Sequence, residues 1–174
     1  MGRHLEQSIV LIGFMGVGKT SVGKSLAEKL NWKFIDTDEE IEKELNLPAT
    51  EIFRTFGEKV FRAKEKEVIE RISHEKNKVI SVGGGAFLQK EVRAICLENC
   101  TVVLLDLSWD HWLDRLPLII ETRPVLHNRS LDDIQQLYEE RKSTYNYHHV
   151  KVDIDERSIE EAVDQIMNDL TAAN

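Results

Sequence analysis

Three glycines, a lysine and a threonine stand at fixed spacing in Gly13-Phe14-Met15-Gly16-Val17-Gly18-Lys19-Thr20, a match to GxxxxGK[ST]. The chemistry this spacing serves is the cradling of a polyphosphate. Glycines let the backbone turn tightly and bring successive N–H groups close to anionic oxygens, while the lysine reaches the β- and γ-phosphates. Thr20 adds a hydroxyl suited to Mg²⁺. The apolar run Ile9-Val10-Leu11-Ile12 immediately precedes the motif, and Lys19 to Leu30 follows it with a helical stripe of Val22, Leu26, Ala27 and Leu30. A strand therefore delivers the loop and a helix begins at it, its partially positive N-terminus directed at the same anion. A purely structural glycine-rich turn does not require that context. Gly16, Val17, Gly18, Lys19, Thr20 and Ser21 are accordingly the candidate nucleotide contacts.

Three further groupings carry chemistry. Asp36 and Asp38 lie where the apolar stretch Phe34-Ile35 gives way to a helical pattern, at a strand C-terminus, which is where ligands sit in open α/β sheets. Alternate residues of an extended chain project to one side, so one carboxylate can hold the water shell of Mg²⁺ while the other accepts a hydroxyl proton. The simpler role is N-capping of the following helix by Thr37 or Asp38. Next, Ser81-Val82-Gly83-Gly84-Gly85-Ala86 places three consecutive glycines after an apolar strand, more than a tight turn needs, and a polar substrate can take their N–H groups. Finally, two arginines sit on helical faces. Arg62 lies at the margin of the stripe Phe61, Val68, Ile69, Ile72, with Glu58 and Glu65 one turn away as partners for a solvated ion pair. Arg141 continues the stripe Ile134, Leu137, Tyr138, Tyr145 and points inward, where an anion should meet it: a protein carboxylate, or a substrate carboxylate gripped bidentately.

The elements that must position these groups alternate. Strand-like runs at Ser8 to Ile12, Lys33 to Ile35, Val79 to Val82, Thr101 to Leu107 and His149 to Ile154 are separated by helical patterns. This is the signature of an α/β fold, a five-stranded parallel sheet flanked by helices. Helices are predicted at Thr37 to Leu45, Ala49 to Phe56, Glu58 to Ser73, Gln89 to Glu98, Trp109 to Leu116, Ser130 to Ser143 and Ser158 to Leu170. At 174 residues the chain is one domain, with an excursion over about 37–73 and a candidate lid over Pro117 to Arg129, which lacks a clear period. A net charge of −8 without a basic tract makes nucleic acid and anionic membrane poor partners. No apolar stretch is long enough to span a membrane and the N-terminus has no signal-peptide core, so a cytoplasmic protein is expected. The two cysteines, Cys96 and Cys100, read as reduced thiols packed at a helix-to-strand junction. Trp109 and Trp112 are expected to pack under the lid, and His148-His149 to lead into the last strand.

A phosphate cradle names no acceptor. The only Asn-Lys pair, Asn77-Lys78, leads into a strand without the Asp of a guanine-reading element, and Asp106 on the fourth strand is a poor match to a motor ATPase. A small-molecule kinase remains. The constellation resembles shikimate kinase: GFMGVGKT, the FIDTDEEI segment, Phe61-Arg62, the SVGGGA turn, Arg123-Pro124-Val125-Leu126 and the Arg141-to-Tyr145 spacing occur in that family's order, over about Ser8 to Leu170.

The resemblance implies a three-layer P-loop NTPase fold of nucleoside-monophosphate-kinase type with a lid. It also implies transfer of the ATP γ-phosphoryl to the 3-hydroxyl of shikimate, with Mg²⁺, on the route to aromatic amino acids. By position, Asp38, Arg62, Gly84 and Arg141 would contact shikimate, with Gly83 and Gly85 beside them. Asp36 and Thr20 would serve the metal, and Arg123 would close over the phosphates. Asp38, Lys19 and Arg123 are the catalytic candidates, and a monomer is expected. The lid region Leu116 to Asn128 is richer in Leu and Ile than the family pattern suggests, and Asp155-Glu156-Arg157-Ser158, the expected second wall of the adenine pocket, lacks the anticipated proline. Arg115 and Arg157 are the adenine-side candidates. A gluconate kinase would lack the paired Arg62 and Arg141, a nucleoside monophosphate kinase would need a base pocket, and a non-catalytic paralogue would not need Lys19, Thr20, Asp36 and Asp38 intact.

Overall fold

A computed structural model describes residues 6–122 and 126–172. Five parallel strands, β1 (Ile9–Ile12), β2 (Lys33–Asp36), β3 (Lys78–Ser81), β4 (Thr101–Asp106) and β5 (Val150–Asp153), form one sheet in the order β2-β3-β1-β4-β5. Central β1 pairs Val10 with Ile80 on one side and with Val102 on the other. Both its faces are covered, so all four of its residues are buried and its sequence is continuously apolar. Edge strand β5 alternates buried Val150 and Val152 with exposed Lys151 and Asp153, as a half-covered strand must.

The helices are α1 (Lys19–Leu30), α2 (Thr37–Leu45), α3 (Ala49–Ser73), α4 (Lys90–Asn99), α5 (Trp109–Ile119), α6 (Leu131–Thr144) and α7 (Ile159–Ala172). The first two begin and end where their sequence patterns do. The two helices expected between residues 49 and 73 are halves of α3, broken at Gly57, whose φ of 86° and ψ of 169° no helix accommodates. The end of α5 differs from expectation. It runs through Pro117 to Ile119, followed by a 3₁₀ turn at Ile120–Thr122, so the start of the interval read as lid is helical. Proline's φ suits a helix, although within one it forfeits a hydrogen bond and its ring crowds the carbonyl four residues back. The buried positions Trp112 and Ile119 keep the helix on its stripe. The crossover through α1 carries the chain from β1 to edge strand β2, while β4 lies on β1's other side. The sheet therefore switches direction at β1, and the crevice beyond its C-terminal edge is where a ligand fits.

Candidate active site

The loop between β1 and α1 is shaped for an anion. Gly18 caps α1 in the left-handed region, φ 97°, without a side-chain hydrogen bond, which leaves the first N–H groups of the helix free of a capping side chain. Gly16 is also left-handed at φ 79°, and a Cβ there would come within 2.5 Å of Ile119 Cδ1, so side chain and backbone both demand glycine. Lys19 folds back over the loop, its Nζ donating to the carbonyls of Gly13 (2.6 Å) and Phe14 (3.2 Å). Two helices buttress the loop from behind. Trp112 Nε1 donates to Met15 O at 2.8 Å and Arg115 Nη1 to Val17 O at 3.1 Å, while Phe14 packs edge-on against Trp112 and Tyr138. Trp112 is thus a packing residue, stacked on Trp109 with ring centroids 5.2 Å apart.

Across a cleft of about 210 Å³, Lys19, Thr20 and Ser21 face Asp36, Asp38 and the Ser81 to Gly84 segment. The carboxylates reach this cleft differently from expectation. Asp36 ends β2 and is itself the N-cap of α2, its Oδ1 accepting from Glu39 N at 3.1 Å, so neither Thr37 nor Asp38 caps the helix. Asp38 lies in the first helical turn, so a helix start, not an extended alternation, brings the two carboxylates to one cleft. Asp38 Oδ1 is buried with no hydrogen-bond partner among the described residues. Burial, then the neighbouring Asp36 charge, push its carboxyl up to about 6, against the pull of Arg62 and Lys19.

The glycine triplet is explained by what stands against it. A Cβ on Gly83 would lie 2.9 Å from Asp38 Oδ1, and one on Gly85 would overlap the guanidinium of Arg62, coming within 2.8 Å of Cζ. Gly84 has open space at its Cβ position, and its carbonyl accepts from Arg141 Nη1 at 2.5 Å and from the Tyr145 hydroxyl at 3.1 Å. Arg141 therefore meets neither protein carboxylate nor solvent alone, and among the described residues no carboxylate pairs with it. Arg62 pairs as expected with an exposed carboxylate, Glu58, 3.6 Å from its Nε, and also with a buried one. Its Nη1 donates at 2.9 Å to Glu65, which is fully buried and also accepts from Gln89 Nε2 at 3.1 Å. Burial raises the Glu65 carboxyl and Arg62 opposes it. Gln89 enters the site although its sequence marks only the start of a helix, while Glu65 and Tyr145, read there as a partner of Arg62 and as a member of the Arg141 stripe, prove to be hydrogen-bonding members of the site.

A second cleft, of about 240 Å³, opens behind the phosphate loop between Val17, Gly18 and Arg115 on one side and Arg157, Ser158 and Ile159 on the other. It joins the two segments expected to wall the adenine. Arg123 lies outside the described residues. Cys96 and Cys100 are buried free thiols, Cys100 Sγ donating to Ser73 O at 3.4 Å, and burial holds both well above the usual thiol range. His149 Nδ1 accepts from Val102 N at 2.9 Å at the start of β5.

Known proteins resemble this chain over nearly its whole length. The family model for shikimate kinase matches residues 15–171. The chain belongs to the shikimate kinase family. The shikimate kinase of Oceanobacillus iheyensis is 54% identical over 168 residues, 97% of this chain and 92% of the relative. The crystal structure of shikimate kinase from Bacteroides thetaiotaomicron superposes with a TM-score of 0.87 at 32% identity, covering 95% of this chain and 98% of that one. Shikimate kinase from Acinetobacter baumannii, solved in complex with shikimate, gives a TM-score of 0.89 at 28% identity over 98% and 96% of the two chains. The five-stranded parallel sheet and the nucleotide-kinase architecture expected from the sequence are those of the shikimate kinase structures, and membership of the family makes the chain an ATP-dependent transferase.

Proposed function

We propose that this chain transfers the γ-phosphoryl of ATP to the 3-hydroxyl of shikimate, with ATP on the phosphate loop and shikimate in the cleft opposite. What supports this reading is that Asp38, Gly83 and Gly84 line the cleft facing Lys19, with Arg62 against Gly85 and Arg141 on the Gly84 carbonyl. A small carboxylate bearing adjacent hydroxyls matches that wall, since a guanidinium fork takes the carboxylate and the partnerless Asp38 oxygen takes a hydroxyl. In the reaction the 3-hydroxyl oxygen bonds to the γ-phosphorus, the bond to the bridging oxygen breaks, ADP leaves, and Asp38 receives the hydroxyl proton. Lys19 and the loop N–H groups stabilise the spreading phosphoryl charge, and Arg62 and Arg141 hold the acceptor in line. Arg123 would add its charge from the lid, whose closure over residues 117–129 would exclude water.

Thr20 and Asp36 offer hard oxygen ligands on one cleft, so they fit Mg²⁺ and would hold it directly or through water, where it would neutralise phosphate charge. Arg115 and Arg157 would flank the adenine. The charge of −8 favours small-molecule over nucleic-acid partners. Among the described residues no helix is long and apolar enough to cross a membrane, which supports a cytoplasmic site of action. ADP release measured with shikimate, gluconate and nucleoside monophosphates as acceptors tests the assignment. Turnover confined to shikimate is expected, and turnover with gluconate alone would overturn it.

A further inference from the structure

The turn after β3 uses its three glycine carbonyls unequally. Those of Gly83 and Gly85 accept backbone N–H groups, from Ala86 at 3.1 Å and Leu88 at 3.2 Å, which closes the turn locally. The carbonyl of Gly84 between them accepts from the end of α6, from Arg141 and Tyr145. These two residues are one turn apart on the same helical face, and the backbone N–H of Tyr145 donates to Arg141 O at 3.1 Å. Arg141 gives Nη1 to the carbonyl, and its charge also acts on the Tyr145 hydroxyl beside it; Nε and Nη2 form the other edge of the fork, the one a bidentate anion would take. The direction of that edge depends on where the Gly84 carbonyl points, and the Tyr145 hydroxyl is the other group that holds it. Tyr145 is buried, and burial pushes its hydroxyl up to about 12, so it remains a donor at neutral pH. A second tie docks the same segment to the same turn: Arg93 donates to Phe87 O at 3.0 Å and stacks on the Tyr147 ring, 4.4 Å from its centroid.

We infer that Tyr145 is a positioning residue for the phosphoryl acceptor: by pinning the Gly84 carbonyl it sets the guanidinium of Arg141 at the angle that receives the substrate carboxylate. The inference rests on the proposed grip of Arg141 on shikimate. Removing only the hydroxyl leaves the ring and its packing, and leaves Gly84 with Arg141 as its one remaining side-chain donor. The guanidinium is then free to swing with the carbonyl, and acceptor binding weakens.

The test is a double-mutant cycle on kcat/KM, with Tyr145→Phe, Arg141→Met and the combined variant, and thermal unfolding to verify folding. Tyr145→Phe alone is expected to lower kcat/KM for shikimate about three- to tenfold, chiefly through KM, with KM for ATP held. In the Arg141→Met background the same change should cost less than twofold, because no guanidinium remains to be aimed. An equal loss in both backgrounds, or a parallel rise in KM for ATP, would make Tyr145 a packing residue and overturn the inference. If Arg141→Met costs acceptor affinity but Tyr145→Phe does not, the inference fails while the grip stands. If Arg141→Met leaves KM for shikimate unchanged, the grip itself fails and the inference with it. Should Tyr145→Phe prove unfolded, Arg93→Met, which loosens the same docking from outside the cleft, should raise KM for shikimate about twofold or more, again only while Arg141 is present.

Discussion

The carboxylate of Asp38 rests against the backbone of Gly83, close enough that a Cβ there would stand 2.9 Å from Oδ1 and 3.2 Å from Oδ2. Glycine at 83 is therefore a condition for the placement of Asp38, the proposed proton acceptor. Gly83→Ala should displace the carboxylate by several tenths of an ångström. Because sub-ångström to 1 Å misplacements can cost up to about 10²-fold in rate, kcat should fall at least about tenfold. Gly83 is not in the left-handed region, so its backbone tolerates alanine, and the unfolding temperature should move by only a few degrees. Full turnover in a folded Gly83→Ala enzyme would remove Asp38 from the chemistry.

The elevated Asp38 carboxyl, about 6 against an ordinary 3.8, ties activity and stability to pH with opposite signs. As a proton acceptor Asp38 works ionised, so kcat/KM should climb about tenfold per pH unit below 6 and level off above it. The folded state binds the Asp38 proton more tightly than the unfolded chain, so this group's contribution to stability is fully present below about pH 4. It is lost as pH rises through 6. Asp38→Asn should consequently be more stable than the native enzyme at pH 8, by about 1–3 kcal/mol, and no more stable near pH 4. Urea unfolding at the two pH values measures the difference, and an Asp38→Asn protein less stable at pH 8 would show that the ionised carboxylate is not strained by its burial.

What the sequence discloses here depends on whether a signal is local. The parallel sheet is legible because buried strands must be continuously apolar, and the phosphate loop because its residues are contiguous. The helix cap was misread by one position, since Asp36-Thr37-Asp38 offers three capping residues in a row and only backbone angles choose among them. Glu65 looked like the outer half of a surface ion pair. Spacing on α3 cannot reveal that Gln89, which caps α4, donates to it while it lies fully buried. The end of α5 was set too early because Pro117 reads as a stop, whereas the contact of Ile119 with the phosphate loop is invisible in one dimension.

Glu65 gives a prediction of its own. Its carboxylate is fully buried and holds Arg62 at 2.9 Å, with Oε2 left without a hydrogen-bond partner among the described residues. Glu65→Gln keeps an oxygen for Arg62 but removes the charge that balances the guanidinium, and uncoupling a partly buried pair should lower stability by about 1–3 kcal/mol. Arg62 lies against Gly85 and is proposed to hold the acceptor, so KM for shikimate should rise severalfold while KM for ATP is held. A variant that loses stability with both KM values intact would restrict Glu65 to a structural role.

Asp36 and Asp38 share one cleft yet stand in different chemical situations, and that difference separates their roles. Asp36 is tied by a hydrogen bond from Glu39 N and lines the same cleft as Thr20, whereas Asp38 has a buried oxygen without a hydrogen-bond partner among the described residues. Asp38→Asn keeps size and one acceptor oxygen but cannot take a proton at neutral pH, so kcat should fall by about 10²–10⁴-fold with far less effect on KM for shikimate. Asp36→Asn preserves the cap, because the amide oxygen still accepts from Glu39 N. It weakens a metal ligand sphere, so its loss should appear as a raised Mg²⁺ requirement that added Mg²⁺ partly restores. The deciding measurement is kcat against Mg²⁺ concentration for both variants. Rescue of Asp38→Asn instead of Asp36→Asn would exchange the two roles, and undiminished activity in both would reduce this segment to the start of a helix.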